Sequence, residues 1–195
     1  MVNNLLLIFI KNSVKGKVKT RLAKDLGDDK ALEIYKQLLQ HTHGITKDLD
    51  IHKEVIYSDY IEQNDIWNGS VFAKKTQSGN DLGERMSFAF NEGFESGNQS
   101  ICIIGSDCYD LTSQIITEAF ESLKKHDFVI GPANDGGYYL IGMNEFHSQI
   151  FDNKTYSTND VFQEAIDEMK KLNKSYFILP ELTDIDDVND LNKFQ

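Results

Sequence analysis

Ile101–Leu111, ICIIGSDCYDL, opens as an unbroken apolar run and closes on Gly105, Ser106 and Asp107. Four consecutive apolar residues, β-branched among them, read as a strand buried on both faces. A carboxylate at the end of such a strand costs free energy unless a cation or a donor pairs with it. Asp107 is therefore the first candidate for a site.

The same alternation of strand and helix continues on either side. Leu5–Ile10 is a second uninterrupted apolar strand. Asp28 can cap a helix whose apolar positions Leu32, Tyr35, Leu38 and Leu39 recur at helical spacing. Lys53–Ser58 and Val71–Thr76 are strand candidates. Leu82–Phe94 reads as a helix, with Met86, Phe90 and Phe94 at four-residue steps. Thr112–Lys124 is a helix, and Phe128–Ile130 and Tyr138–Met143 are strands. Thr158–Lys171 is a helix with Val161, Phe162, Ala165, Ile166 and Met169 on one face. Ser175–Leu179 is a strand, and a short helix follows from Val188. Strands that are apolar on both faces and alternate with helices imply an α/β fold, a mostly parallel sheet covered on both sides. In such sheets ligands bind beyond the carboxyl ends of the strands.

The chain has 195 residues, which suits one domain spanning 1–195. Its formal net charge is -11, so a nucleic-acid partner is not expected. Cys102 falls inside the central strand and reads as a small buried hydrophobe; Cys108 is expected to be partly exposed. Their spacing does not resemble a zinc site, and two free thiols suit a reducing compartment. The apolar run LLLIFI is too short to span a membrane and lacks signal-peptide flanks. A cytoplasmic protein is the expectation.

Four strand-end clusters carry chemistry. Lys11–Lys24, KNSVKGKVKTRLAK, holds six basic residues and no acid, in a chain with 31 acids and 20 Lys and Arg. Gly16 among cations after a first strand suits phosphate, through approachable backbone N–H groups and neutralising side chains. It is neither a Walker A loop nor a Rossmann fingerprint; a solvated basic loop is the bland reading. In NDLGERM, Asn80–Met86, Asp81 and Glu84 read as a capping box, which leaves Arg85 unexplained. Asp107 and Asp110 follow the central strand and suit a hard cation such as Mg2+ or Mn2+; Thr112 is a possible cap for the next helix. Asp135-Gly136-Gly137 reads as a hairpin turn. Asp184–Asp190, DIDDVND, packs four Asp into seven residues and is a source of a second metal ligand or only surface charge. His41 and His43 read as charge partners at a helix end. Tyr138 and Tyr139 are expected to split between core and pocket.

GKVKTRL, DLGERM, GSDCYDL, GPANDGGYYLIG and DIDDVNDL, in that order, resemble the motifs of a bacterial glycosyltransferase-like family, some of whose members are called arsenosugar-biosynthesis glycosyltransferases. The resemblance runs from Leu5 to Leu191. That family lies in the nucleotide-diphospho-sugar transferase superfamily, so the resemblance implies a GT-A type, Rossmann-like fold. It also implies roles. Lys19 and Arg21, with Gly16, would contact nucleotide phosphates, and Gly83 and Arg85 the base or ribose. Asp107 would hold Mg2+ or Mn2+, with Asp186 as second ligand and Asp184 as the fallback. Asp135, Gly136 and Gly137 would face the sugar or acceptor, with Asp135 as base or acceptor-binding group. The sequence departs from the family where Ser13, Val14 and Lys15 replace prolines, where Tyr109 follows Cys108, and where Asp187, Val188 and Asn189 replace a Thr-Pro-Glu pattern.

The function implied is metal-dependent transfer from a nucleotide-diphosphate sugar to a small-molecule acceptor. Two alternatives stand beside it. A nucleotidylyltransferase would use the same cations and release pyrophosphate from an NTP, although such enzymes commonly carry several glycines in the first loop. A non-catalytic nucleotide-binding module would need no metal.

Overall fold

The computed structural model describes residues 3–152, 154–156 and 158–192. The N-terminal apolar run is β1 (Asn4–Ile10), buried from Leu5 to Ile10. It is followed by β2 (His52–Tyr57), β3 (Ala73–Thr76), β4 (Ser100–Ile104), β5 (Phe128–Pro132), β6 (Tyr138–Met143) and β7 (Tyr176–Ile178). Among the described residues these form one sheet in the order β3-β2-β1-β4-β6-β5-β7. β1 runs parallel to β2 and β4, β2 to β3, and β5 to β7. β6 is the exception and lies antiparallel to both β4 and β5. The five residues 133–137 explain this, because they can turn a hairpin but cannot carry a parallel crossover.

Every second residue of β1 enters a different core. Leu6, Ile8 and Ile10 share one with Tyr35 and Leu39 of α2 (Asp28–Thr46) and with Ile116, Ala119 and Phe120 of α4 (Ser113–Leu123). Leu5, Leu7 and Phe9 share the other with Met86 and Phe90 of α3 (Leu82–Glu95) and with Ala165, Ile166 and Met169 of α5 (Val161–Lys171). Burial on both faces is why β1 and β4 have no polar alternation. A smaller core joins Leu22 of α1 (Thr20–Leu26) and Ala31, Ile34 and Leu38 of α2 to Ile185. It ties the segment before α6 (Val188–Asn192) to the front of the molecule. Among the described residues no helix is long and apolar enough to cross a membrane.

Several local expectations are corrected. Asp28 opens α2 but is not its cap; Gly27 holds that position at φ 81, and Asp28 and Asp29 sit in the first turn, where acids favour the helix dipole. α1 is only seven residues long, too short for a helical period to show. Strand β3 begins at Ala73, because Phe72 turns inward against Trp67. Cys108 is buried, and burial pushes its thiol up to about 12. His41 and His43 lie near the end of α2, His43 in its last turn, and both are held by side-chain contacts as well. His41 Nε2 lies 2.8 Å from the Leu111 carbonyl and its ring stacks on Tyr109, while His43 packs on Trp67 and Phe72.

Candidate active site where the strand order reverses

The chain runs outward from β1 through β2 to β3, then returns to place β4 on the other side of β1. The carboxyl ends of β1 and β4 therefore flank a crevice, the usual ligand position in an open α/β sheet. A cavity of about 500 Å³ lies there. Its walls include Phe9, Ile10 and Lys11 from the end of β1, Ser106 and Asp107 from the end of β4, and Asp135, Gly137 and Tyr138 from the β5–β6 hairpin. α3 adds Leu82, Arg85 and Met86, and the chain after β7 adds Asp184 and Asp186.

The charged centre is built from three distant segments. The basic loop after β1 ends at Lys19, which stands in the left-handed region at φ 46 and ψ 47, immediately before α1. A left-handed lysine is strained by about 1–3 kcal/mol and persists only where its surroundings hold it. Lys19 is held: its side chain is 4% exposed and its Nζ lies 2.9 Å from Asp107 Oδ1 and 3.2 Å from Asp186 Oδ1. Burial opposes the charge on Lys19, but the two carboxylates outweigh burial and raise its pKa above the ordinary lysine value. Arg21, in the first turn of α1 and largely exposed, points Nη1 at Asp186 Oδ2 at 3.4 Å.

The acidic side is positioned by backbone pairing. Asp184 bridges Cys108, Leu182 bridges Ala133, and Ile185 donates its N–H to the Asp107 carbonyl at 3.0 Å. Tyr139 adds a hydrogen bond from its hydroxyl to the Pro180 carbonyl at 2.9 Å. The C-terminal segment is thereby laid across the ends of β4 and β5. Burial first, then the neighbouring charges of Asp107, Asp135 and Asp186, push Asp184 up to about 7, with Lys19 opposing them. Four carboxylates thus crowd around two cations, Lys19 and Arg21.

The remaining expected residues divide. Asp135 lines the cavity and its Oδ1 accepts the Gly137 N–H at 2.9 Å, which fixes the turn. Gly136 sits at φ 85 with the Asn159 backbone where a Cβ would be, so its place is structural. Arg85 lines the cavity and is aimed by two bonds, Nε to the Gly79 carbonyl at 3.2 Å and Nη1 to Gln77 Oε1 at 3.1 Å. Gln77 is itself locked, because its Nε2 donates to the Ile10 and Ile56 carbonyls. Gly83 turns away from the cavity; a Cβ there would meet the Tyr156 ring at 2.7 Å and the Phe151 carbonyl at 2.9 Å, so close packing explains it. Gly16 lies in the basic loop at φ 76, exposed and outside the cavity walls. Asp81 accepts the Glu84 N–H at 2.9 Å, while Glu84 reaches back to the Asn80 N–H at 2.8 Å. Thr112 accepts the Ile115 N–H as the cap of α4. Tyr139 is buried in the α2 and α4 core and Tyr138 borders the opposite one.

Sequence reasoning missed Tyr35, Ser106 and Gln77, and named Lys11 only as the first member of the basic cluster. Tyr35 comes from the middle of α2, where it counted only as an apolar repeat. Its hydroxyl donates to the Lys11 carbonyl at 2.9 Å and accepts the Lys11 N–H at 2.7 Å, fixing where the basic loop leaves β1. Desolvation and Asp107 raise its pKa, so it stays a neutral phenol.

The model of the family described as "Uncharacterized protein conserved in bacteria (DUF2064)" matches residues 42–158, and the chain belongs to that family. No curated protein matches the chain. Among solved structures, a candidate nucleotide-diphospho-sugar transferase from Desulfovibrio desulfuricans G20 is 32% identical, with a TM-score of 0.92 over 100% of this chain and 87% of that one. A 4-diphosphocytidyl-2C-methyl-D-erythritol synthase is 10% identical, with a TM-score of 0.63 over 100% and 97%. A CMP:2-keto-3-deoxy-manno-octonic acid synthetase in complex with CTP is 7% identical, with a TM-score of 0.55 over 98% and 96%. The last two are likenesses of fold. The chain has the nucleotide-diphospho-sugar transferase fold.

Proposed function

We propose that this member of the DUF2064 family is a transferase that uses a nucleotide-diphosphate sugar as donor, a small hydroxyl-bearing molecule as acceptor and a divalent cation, Mg2+ or Mn2+. The observation that carries the reading is the cluster of Lys19, Asp107 and Asp186 at the edge of the crevice, where a cation of the kind that suits phosphate meets carboxylates of the kind that suit a divalent ion.

The residues fit such a metal. Asp107 and Asp186 are hard oxygen donors, and Mg2+ commonly takes one or two carboxylates and completes its shell from phosphates and water. Among the described residues no group of three or more His, Cys, Asp or Glu could hold a metal ion, so phosphate and water would have to complete the shell. Asp184, raised first by burial and then by Asp107, Asp135 and Asp186, adds to an excess of carboxylate that a divalent ion would relieve. When bound, the ion would neutralise charge on the departing nucleoside diphosphate. Lys19 and Arg21 donate to phosphate oxygens in charge-assisted hydrogen bonds. Arg85, aimed by Gln77, supplies a fixed donor fork on the α3 wall for the nucleoside end. Asp135, held by its own turn, accepts from the attacking hydroxyl and orients it.

The test is a thermal-shift series with UDP-, GDP-, ADP-, CDP- and dTDP-sugars and the NTPs, each with and without Mn2+. A ligand at about a hundred times its Kd adds roughly 2.7 kcal/mol, which moves the midpoint by about 5–10 °C at this chain length. The reading expects that shift with one nucleotide sugar and only with metal, and expects Asp107→Asn to fold, with a lower unliganded midpoint because Lys19 loses a partner, while losing the shift. An Asp107→Asn variant with undiminished metal-dependent binding would refute it.

One observation favours nucleotidyl transfer as a second reading: six cations in Lys11–Lys24 can offset a triphosphate. That reaction expects the shift from an NTP and release of pyrophosphate. A non-catalytic module expects nucleotide binding that Asp107→Asn leaves intact.

A further inference from the structure

Lys19 occupies the ground that a metal would need. Its Nζ is within 3.2 Å of one carboxylate oxygen on each of Asp107 and Asp186. A divalent cation shared by those two oxygens and an ammonium cannot both sit between them, because like charges at that separation repel. Nor can the ammonium step aside into water. The Lys19 side chain is 4% exposed, and its backbone is pinned in the left-handed region, with its carbonyl accepting the Ala23 N–H of α1 at 2.9 Å. A buried ammonium that loses its carboxylates needs a new anion. Phosphate oxygens supply one; a bare metal ion does not.

We propose that Lys19 is a latch: without nucleotide its ammonium holds the place of the divalent cation between Asp107 and Asp186, and the pair accepts metal only when nucleotide phosphates draw Lys19 away. The inference rests on the transferase reading given above. It makes nucleotide and metal mutually dependent ligands, since any coupling between two sites is reciprocal. It also gives the strain at Lys19 a use: the residue with the left-handed backbone is the one whose side chain reaches both carboxylates.

The test is Mn2+ binding, read as loss of the free-ion electron paramagnetic resonance signal, with no nucleotide present. Three proteins are compared: the natural chain, Lys19→Met, which keeps the buried stem, and Asp107→Asn. The latch expects the natural chain to bind Mn2+ no more tightly than Asp107→Asn does. It expects Lys19→Met to bind about tenfold or more tightly, inside the 5–150-fold range typical of coupled sites. Equal affinity in Lys19→Met and the natural chain overturns the latch. If Lys19→Met does not fold, the other pair still decides. A natural chain that binds Mn2+ about tenfold more tightly than Asp107→Asn, without nucleotide, shows metal entering with Lys19 in place and overturns the latch too. Repeating the series with the nucleotide-sugar panel separates the two ideas. Metal-dependent nucleotide binding without a gain in Lys19→Met refutes the latch alone. Absence of Mn2+ binding in every protein, with and without nucleotide, refutes the latch and the metal-assisted reading together.

Discussion

Asp184 makes the charge crowding measurable without any ligand. Its carboxyl is raised from 3.8 to about 7, first by burial and then by Asp107, Asp135 and Asp186. A raised carboxyl destabilises the folded state once ionised. Between pH 4 and 7 the native chain holds a proton that the unfolded chain has released, so stability falls as pH rises through that window and levels off above it. Asp184→Asn removes the titration and keeps the shape. At pH 4 the acid is protonated in the native protein, and the two proteins should be about equally stable. At pH 8 the variant should be the more stable. A shift of about three units corresponds to roughly 4 kcal/mol at most. Residual solvent access and relaxation of neighbouring charges reduce this to about 2 kcal/mol, or a midpoint gain of about 4–8 °C. The assay is urea or thermal unfolding of both proteins, metal-free, at intervals from pH 4 to 8. A difference that stays flat with pH, or a variant that loses stability as pH rises, would refute the reasoning, because the nearby charge of Lys19 would then outweigh burial and the neighbouring carboxylates.

Gly136→Ala should destabilise by about 2 kcal/mol or more, since φ is 85 and a Cβ would lie 2.1 Å from the Asn159 carbonyl oxygen; denaturant unfolding reads this, and an unchanged midpoint would count against the turn as described. Phe90→Ala should cost about 3–5 kcal/mol, because Phe90 is fully buried and stacks on Phe94 and Phe151; urea titration with an unchanged slope gives the value. Arg21→Ala should alter stability by less than about 1 kcal/mol, as its pair with Asp186 is largely exposed. The same variant should weaken nucleotide-diphosphate binding by about tenfold and flatten its salt dependence, which calorimetry at two ionic strengths would check.

Much of the architecture is legible in the chain because it is written in local periods. Leu5–Ile10 and Ile101–Ile104 are apolar at every position, so they belong to strands covered on both sides. Met86, Phe90 and Phe94 keep helical spacing, so α3 is foreseeable, and Asp81 and Glu84 mark where it starts. Asp107 stands out for the same reason, since a carboxylate that ends a buried strand needs a partner. Which partner it has is not local information. Lys19 and Asp186 lie 167 residues apart, and their meeting depends on the strand order, on the pairing of Asp184 with Cys108, and on Ile185 entering the core with Leu22 and Leu38. Tyr35 and Gln77 are missed because a phenol against a loop backbone and an amide between two strands carry no sequence period, and the ring against which Gly83 packs is equally invisible in the chain. The one-dimensional pattern of hydrophobicity dictates which segments are strands and helices, because burial rewards each face residue by residue. Where those segments end relative to one another, and so which charges must share a buried crevice, was decided only when the sheet was assembled.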